Sequence, residues 1–334
     1  MEKMVMSSHI FLICSPLQLR IAATIREKMT EGTYHAIYLK TNKIIKNGVK
    51  KELECNFDSH LIARMDYDIV NLIAINNYMR KSVRKPVTVY LANAGELPLH
   101  YIVSLLGTNI VIKTFDDGIS NLNSLDDIQE IDNRIKERSK IRYKLSRLFF
   151  KRIYNTQKIV DSTMLHYTIL NENKKVNVKS KVIKLELFNK ENESIENTKK
   201  IKNDKIVNIF VGSRFKDILH TKNAKNLNSL IAKIDSINNK YHDVIYLRHP
   251  RELSKNTFNM VEHHIETISE DYIYKLAKEN SILNVIGFGS TCQLNIMNIP
   301  NVKITLLQSK LIRNDIIDSF SLFKGPNITI YNID

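Results

Sequence analysis

The sequence predicts an α/β protein of two Rossmann-like domains whose parallel sheets face a central cleft. Three observations lead there. Short apolar runs alternate with helical periodicity along the whole chain, as in a parallel sheet covered on both faces. At 334 residues the chain exceeds what one hydrophobic core usually covers. A polar stretch rich in Lys, Asn and Glu, Asn189–Asp204, interrupts the alternation, which then restarts. The expected division is residues 1–188, a linker 189–204, and residues 205–334.

In the first half, Ile10–Cys14 reads as a strand and Pro16–Glu27 as a helix with Leu17, Ile21 and Ile25 on one face. Residues Met1–Leu19 hold one Lys and a short apolar core followed by Pro16, a first strand and not a signal peptide. Further strands are expected at His35–Leu39, Val87–Ala92 and Asn109–Thr114, the last running into Phe115-Asp116-Asp117-Gly118. In the second half the order is strand Ile206–Val211, helix Asn223–Asn239, strand Asp243–Leu247 and helix Glu270–Lys278. Strand Ile282–Ile286, helix Thr291–Ile299 and strand Val302–Leu306 complete it. No short-period repeat is visible.

A chain 43% hydrophobic and 25% charged has the balance of a soluble globular protein. Runs such as Ile10–Cys14 and Ile102–Leu106 are too short to span a bilayer. Cys14, Cys55 and Cys292 lie far apart without a CxxC, which fits a reducing cytoplasm and argues against structural zinc. The net charge of +15 favours anionic partners. Arg134–Arg152 carries nine of the cations against one acid, Glu137, with Ile141, Leu145, Leu148 and Phe149 at helical spacing. This basic amphipathic helix suits a solvated face packed by one apolar stripe, or an anionic membrane surface or lipid-linked acceptor. Nucleic acid fits less well: Trp is absent, and neither an RNA-binding motif nor a helix-turn-helix appears.

Ligands of open α/β sheets bind beyond the carboxyl ends of the strands, and three motifs fall there. Gly287-Phe288-Gly289-Ser290-Thr291 opens a helix that Ser290 or Thr291 can cap, while its glycines let backbone approach a ligand. The first amides of such a helix lack intrahelical partners and suit an anion. No Lys follows in P-loop spacing, which disfavours a triphosphate site. In His249-Pro250-Arg251, Pro250 biases His249 towards an extended conformation that aims the imidazole into the crevice. An ordinary imidazole pKa of about 6.5 matches the second pKa of a phosphate, about 6, and Arg248 and Arg251 add charge. Asp116 and Asp117 place two carboxylates on a turn, suited to acid–base work, to Mg²⁺, or to a plain Asx turn before Gly118. Gly212-Ser213-Arg214, with Asp217 behind it, is a fourth strand-end turn. Glu270-Asp271-Tyr272 starts a helix with acid that either serves the dipole or holds ribose hydroxyls or a base edge. The adjacent His263 and His264 diverge and are not read as a metal site.

These residues resemble the bacterial sialyltransferases of glycosyltransferase family 52, which includes lipooligosaccharide α-2,3-sialyltransferases. The strings that carry the resemblance are Ile112-Lys113-Thr114-Phe115-Asp116-Asp117-Gly118 with Asn121-Leu122, His166-Tyr167-Thr168-Ile169, and Val211-Gly212-Ser213. His249-Pro250-Arg251, Glu270-Asp271-Tyr272-Ile273 and Pro300-Asn301-Val302 complete them, from about Ile10 to the C-terminus. The resemblance implies a GT-B fold with an acceptor-side first domain and a nucleotide-binding second. It implies CMP-sialic acid as donor, a galactose-terminated surface glycan as acceptor (lipooligosaccharide or capsule), no cofactor, no metal, and inversion. The implied CMP contacts are Leu247, Arg248, His249, Pro250, Arg251, Ser269, Glu270, Ser290 and Thr291, with Gly212 and Ser213 alongside. His249 would be the general acid or phosphate stabiliser. In the family's lipooligosaccharide enzymes the base sits just after the Gly-Ser turn. Here Phe215 stands at the ungapped position and Asp217 two residues on. Asp217 is the first choice of base, with Asp116 or Asp117 the alternative. A changed base region leaves open another sugar-nucleotide donor, and the charge alone leaves open a non-enzymatic membrane-binding protein. The implied location is the inner face of the cytoplasmic membrane, held peripherally, and a homodimer is compatible with the resemblance.

Overall fold

Strand Ser8–Ile13 (β1) is buried at every position, as a central parallel strand with both faces covered has to be. The computed structural model describes residues 7–40, 47–66, 68–92, 94–116, 150–169, 180–187, 206–250, 252, 258–266, 268–279 and 282–334. The expected linker 189–204 and residues 134–149 of the basic stretch lie outside them. The chain forms two units, Met1–Leu187 and Phe188–Asp334.

In the first unit β1 leads to α1 (Pro16–Glu27), β2 (Thr33–Lys40), α2 (Asn47–Asn56), β3 (Ser59–Arg64) and α3 (Ile69–Ser82). There follow β4 (Val87–Leu91), α4 (Leu97–Leu105), β5 (Val111–Phe115), α5 (Thr156–Asp161), β6 (Thr163–Thr168) and β7 (Lys181–Lys184). The strands are parallel in the order β3-β2-β1-β4-β5-β6-β7. One face of the sheet, with Ile10, Leu12, Val89, Leu91 and Ile112, packs on Leu72, Ile75 and Met79 of α3 and Ile102 and Val103 of α4.

The second unit runs β8 (Ile206–Val211), α6 (Phe215–Ile218), α7 (Ala224–Tyr241), β9 (Ile245–Leu247), β10 (Val261–Glu262) and α8 (Ser269–Lys278). It continues β11 (Ile282–Gly287), α9 (Thr291–Ile296), β12 (Val302–Gln308), α10 (Asn314–Asp318), a 3₁₀ turn Ser319–Leu322 and β13 (Ile328–Asn332). This sheet is also parallel, in the order β10-β9-β8-β11-β12-β13. Its two faces carry separate cores. Ile209, Leu247 and Val285 meet Ile273 of α8 and Ile296 of α9 on one side. Phe210, Tyr246 and Ile286 meet Leu227, Leu230 and Ile234 of α7 on the other. In α7 the buried residues Leu227, Leu230, Ile234 and Ile237 follow one helical stripe, and Asn223 caps the start by accepting from Asn226 N at 2.7 Å.

Asp116, expected on an open turn beside Asp117, is instead a fully buried clamp at the end of β5. Its Oδ1 accepts from His166 Nε2 at 2.9 Å, and its Oδ2 from Thr168 Oγ1 at 2.8 Å and Ile169 N at 2.6 Å. With both Asp116 oxygens accepting, His166 donates through Nε2 and leaves Nδ1 to Thr114 Oγ1 at 2.9 Å. The two family strings around Asp116 and His166 are therefore one cluster on adjacent strands. Asp116→Asn turns one accepting oxygen into a donor that faces donors. We expect it to lower stability by about 1–3 kcal/mol in urea denaturation; a loss under about 0.5 kcal/mol contradicts the clamp.

Candidate active site

β8 lies between β9 and β11, and the three strands run the same way. Their carboxyl ends therefore present the Gly212–Arg214, Arg248–Pro250 and Phe288–Ser290 turns side by side, where the strand order reverses. β9 and β11 are two strand spacings apart, about 10 Å. Gly212 N donates to Leu247 O at 2.8 Å. A Cβ on Gly212 would stand 2.9 Å from the Tyr246 ring and 3.0 Å from His249 N, so this turn needs glycine. A Cβ on Gly287 would stand 2.8 Å from Gln293 Oε1 and 3.2 Å from Val211 O. His249 and Ser290 thus sit on one edge of one sheet.

Ser290 is the N-cap of α9, its Oγ accepting from Gln293 N at 3.3 Å. Gln293 answers as a capping box should. Its Oε1 accepts from Gly289 N at 3.0 Å and Ser290 N at 3.1 Å. Its Nε2 donates to Val285 O at 3.1 Å and Thr305 O at 3.3 Å. Two expectations change here. The space above the glycines belongs to the protein: Gln293 fills it at Gly287, and the Phe320 ring lies 2.8 Å from a Cβ on Gly289. The amides of Gly289, Ser290 and Gln293 are already bonded within the turn. What Ser290 retains is the proton of its hydroxyl, since that oxygen only accepts from Gln293. Ser290 and Thr291 are both half-buried.

His249 is half-buried beyond β9, Pro250 is exposed, and Leu247 is a core residue that reaches the turn only through its backbone. Arg248 forms a bidentate pair with Glu262, Nε to Oε1 and Nη2 to Oε2 at 2.7 Å each. These hydrogen bonds hold the Glu262 carboxyl below the usual range and raise Arg248. The guanidinium expected to face a phosphate is committed to that carboxylate. Beneath it Tyr246 is buried, its hydroxyl pushed up to about 12 by desolvation.

Phe215, where the resemblance would place a base, is fully buried, stacked on Phe210 at 6.3 Å and edge-on to Phe258 at 5.6 Å. Asp217, on the outer side of α6, is 38% exposed, with Oδ2 2.6 Å from Arg214 Nη2 and Oδ1 3.2 Å from Lys222 Nζ. The Phe215 amide donates to Glu252 Oε2 at 3.0 Å, and Glu252 N donates to His249 O at 2.9 Å.

Glu270 begins α8 and is only 5% exposed. Burial raises its carboxyl above the usual value, against the opposing effect of its hydrogen bonds. Asn295 Nδ2 of α9 donates to Glu270 Oε1 at 3.2 Å, and burial pushes the neighbouring Cys292 thiol up. Glu270 thus adjoins the helix that Ser290 opens, and Ser269 beside it is half-buried.

The second sheet therefore brings together Gly212, Ser213, Arg248, His249, Ser290 and Thr291 along one edge, with Asp217 on the short helix beyond Gly212. Asp116 belongs to the first sheet, in the other chain unit. Asp117, Gly118, Asn121, Leu122 and Arg251 lie outside the described residues. His263 Nδ1 bonds the Tyr272 hydroxyl at 2.8 Å while His264 is exposed. No group of three or more His, Cys, Asp or Glu is arranged to hold a metal among the described residues. Gln293 and Glu252 escaped the sequence reading. The Ser-x-x-Gln spacing of a capping box was available for the first; Glu252 has no local signal, because its partner is 37 residues away.

The sequence matches glycosyltransferase family 52 over residues 32–311. It is 27% identical over 333 residues to the N-acetyllactosaminide alpha-2,3-sialyltransferase of Haemophilus influenzae, spanning 97% of this chain and 99% of that protein. Two solved structures share the fold. A UDP-glucosyltransferase from Polygonum tinctorium has a TM-score of 0.55 at 8% identity, covering 98% of this chain and 86% of that one. The UDP-GlcNAc 2-epimerase of Neisseria meningitidis has a TM-score of 0.50 at 11% identity, covering 98% and 88%. The fold is of the GT-B kind. With the family pattern spanning well over half its length and two parallel-sheet units to match, the chain belongs to glycosyltransferase family 52.

Proposed function

We propose that the chain is an inverting, metal-independent sialyltransferase that moves sialic acid from CMP-sialic acid to a terminal galactoside of a surface glycan. The observation that carries this reading is the 27% identity, over nearly the full length of both chains, to an α-2,3-sialyltransferase. The strand-end edge of the second sheet suits a nucleotide monophosphate. In the transfer the acceptor hydroxyl oxygen attacks the anomeric carbon as the bond from that carbon to the phosphate oxygen breaks. Asp217 takes the acceptor proton, for which the Arg214 or Lys222 contact has to give way. His249 donates a hydrogen bond or a proton to the departing phosphate, with the Ser290 hydroxyl as a second donor. The donors are in place before charge develops, so no metal is needed to neutralise it. Glu270, beside Asn295 at the start of α8, holds ribose hydroxyls or a base edge. The basic stretch Arg134–Arg152 suits docking at an anionic membrane face.

Three outcomes are expected. Incubated with CMP-sialic acid and a panel of small galactosides, the protein releases CMP and yields a sialylated product by mass spectrometry, with EDTA making no difference. Binding of UDP-sugars without CMP would instead favour hexosyl transfer, the reading that the Phe215 departure keeps open. His249→Ala lowers kcat by about 10²–10⁴-fold and changes stability by less than about 0.5 kcal/mol, the imidazole being only half-buried; a near-normal rate contradicts the acid role. For Glu270 the folded carboxyl is raised from 4.5, so the folded chain keeps this proton to higher pH than the unfolded chain does. Its contribution is complete below that ordinary value and is lost as pH rises through the raised one. Glu270→Gln should therefore gain stability relative to the parent as pH rises, and a pH-independent difference in thermal denaturation would contradict it.

A further inference from the structure

Helix α6, which carries Asp217, has four residues, too few to hold itself by its own hydrogen bonds. Its N-cap, Arg214, provides no side-chain cap. The far end is secured: Arg313 N donates to Ile218 O at 3.0 Å, Arg313 Nη1 to Asp217 O at 3.1 Å, and His220 N to Leu311 O at 3.0 Å. At the near end, the Phe215 amide finds its acceptor in Glu252 Oε2, which comes from beyond the next strand. The backbone of the same Glu252 closes on His249, its N–H donating to that residue's carbonyl at 2.9 Å.

We infer that Glu252 is a positioning residue for the transfer: one residue ties the turn that carries Asp217 to the turn that carries His249. The inference rests on the roles proposed for those two residues. A base and an acid that act on opposite ends of one displacement need a fixed separation, and a misplacement of about 1 Å can cost on the order of 10²-fold. Without the tie, α6 keeps its Phe215 ring in the core and its Asp217 N to Arg214 O bond at 2.7 Å, but loses the bond that joins its first turn to the His249 turn. What the tie needs from residue 252 is an accepting oxygen, not a negative charge.

That distinction gives the test. Glu252→Gln keeps an oxygen for the Phe215 amide and should retain kcat within about threefold, whereas Glu252→Ala should lower kcat by about 10–100-fold with a KM for CMP-sialic acid little changed. Hydrogen exchange at the Phe215 amide should quicken in Glu252→Ala and not in Glu252→Gln, a readout that needs no activity. The double variant Glu252→Ala with Asp217→Asn should be no slower than Asp217→Asn alone, because the tie works through Asp217. Equal losses in the Gln and Ala variants would overturn positioning in favour of a direct role for the charge. Unchanged Phe215 exchange in Glu252→Ala would overturn the tie itself. A normal rate for Asp217→Asn would overturn the base assignment, while the exchange experiment reports separately on the tie.

Discussion

The carboxamide of Gln293 fixes the working edge of the second sheet. Fully buried, it spends its oxygen on the amides of Gly289 and Ser290 and its nitrogen on the carbonyls of β11 and β12. Four bonds from one side chain lock the turn after β11 against the two strands that flank it. An uncompensated polar group at that depth would cost more than each bond gains, so the arrangement is all-or-none. The position of the Ser290 hydroxyl follows from it, and so does the requirement for glycine at 287, where a Cβ would collide with the carboxamide.

The first unit uses the same device. Ser15 caps α1 by accepting from Gln18 N at 3.2 Å, and Gln18 Oε1 accepts from Cys14 N at 2.6 Å. In both units a Ser-x-x-Gln segment turns a buried strand into a helix at the carboxyl edge and bonds amides of the turn to its own side chains. The consequence for chemistry is that the amides of Gly289, Ser290 and Gln293 are structural, so the proposed ligand contacts are made by side chains. Asp116 shows the same economy, a carboxylate used up by three donors.

Much of the fold was legible because its signals are local. Helix Pro16–Glu27 and strand Ile206–Val211 match the expected bounds, since a proline start and a run of branched residues need no tertiary help. Strand β9 is shorter than expected, beginning at Ile245, because His242 and Asp243 take positive φ in the turn from α7. Elements such as β3, β6 and β7 were passed over: β3 is half-exposed at most positions and β7 carries lysine at both ends, so neither reads as an apolar run. The Gly212–Arg214, Arg248–Pro250 and Phe288–Ser290 turns fall at strand ends, where the topology of parallel sheets says to look. What the residues do there was less legible. Arg248 looks like a phosphate ligand until Glu262, 14 residues on, is seen to hold it, and Asp116 looks like a base until β6 closes over it.

The proposed transfer depends on a phosphate shared by the His249 imidazole and the Ser290–Thr291 turn at one sheet edge. A crystal structure of the protein with CMP tests this most directly. The predicted result is a phosphate oxygen within hydrogen-bonding distance of the His249 ring and another on the Ser290 or Thr291 hydroxyl. A phosphate bound elsewhere, with those groups facing solvent, would contradict it.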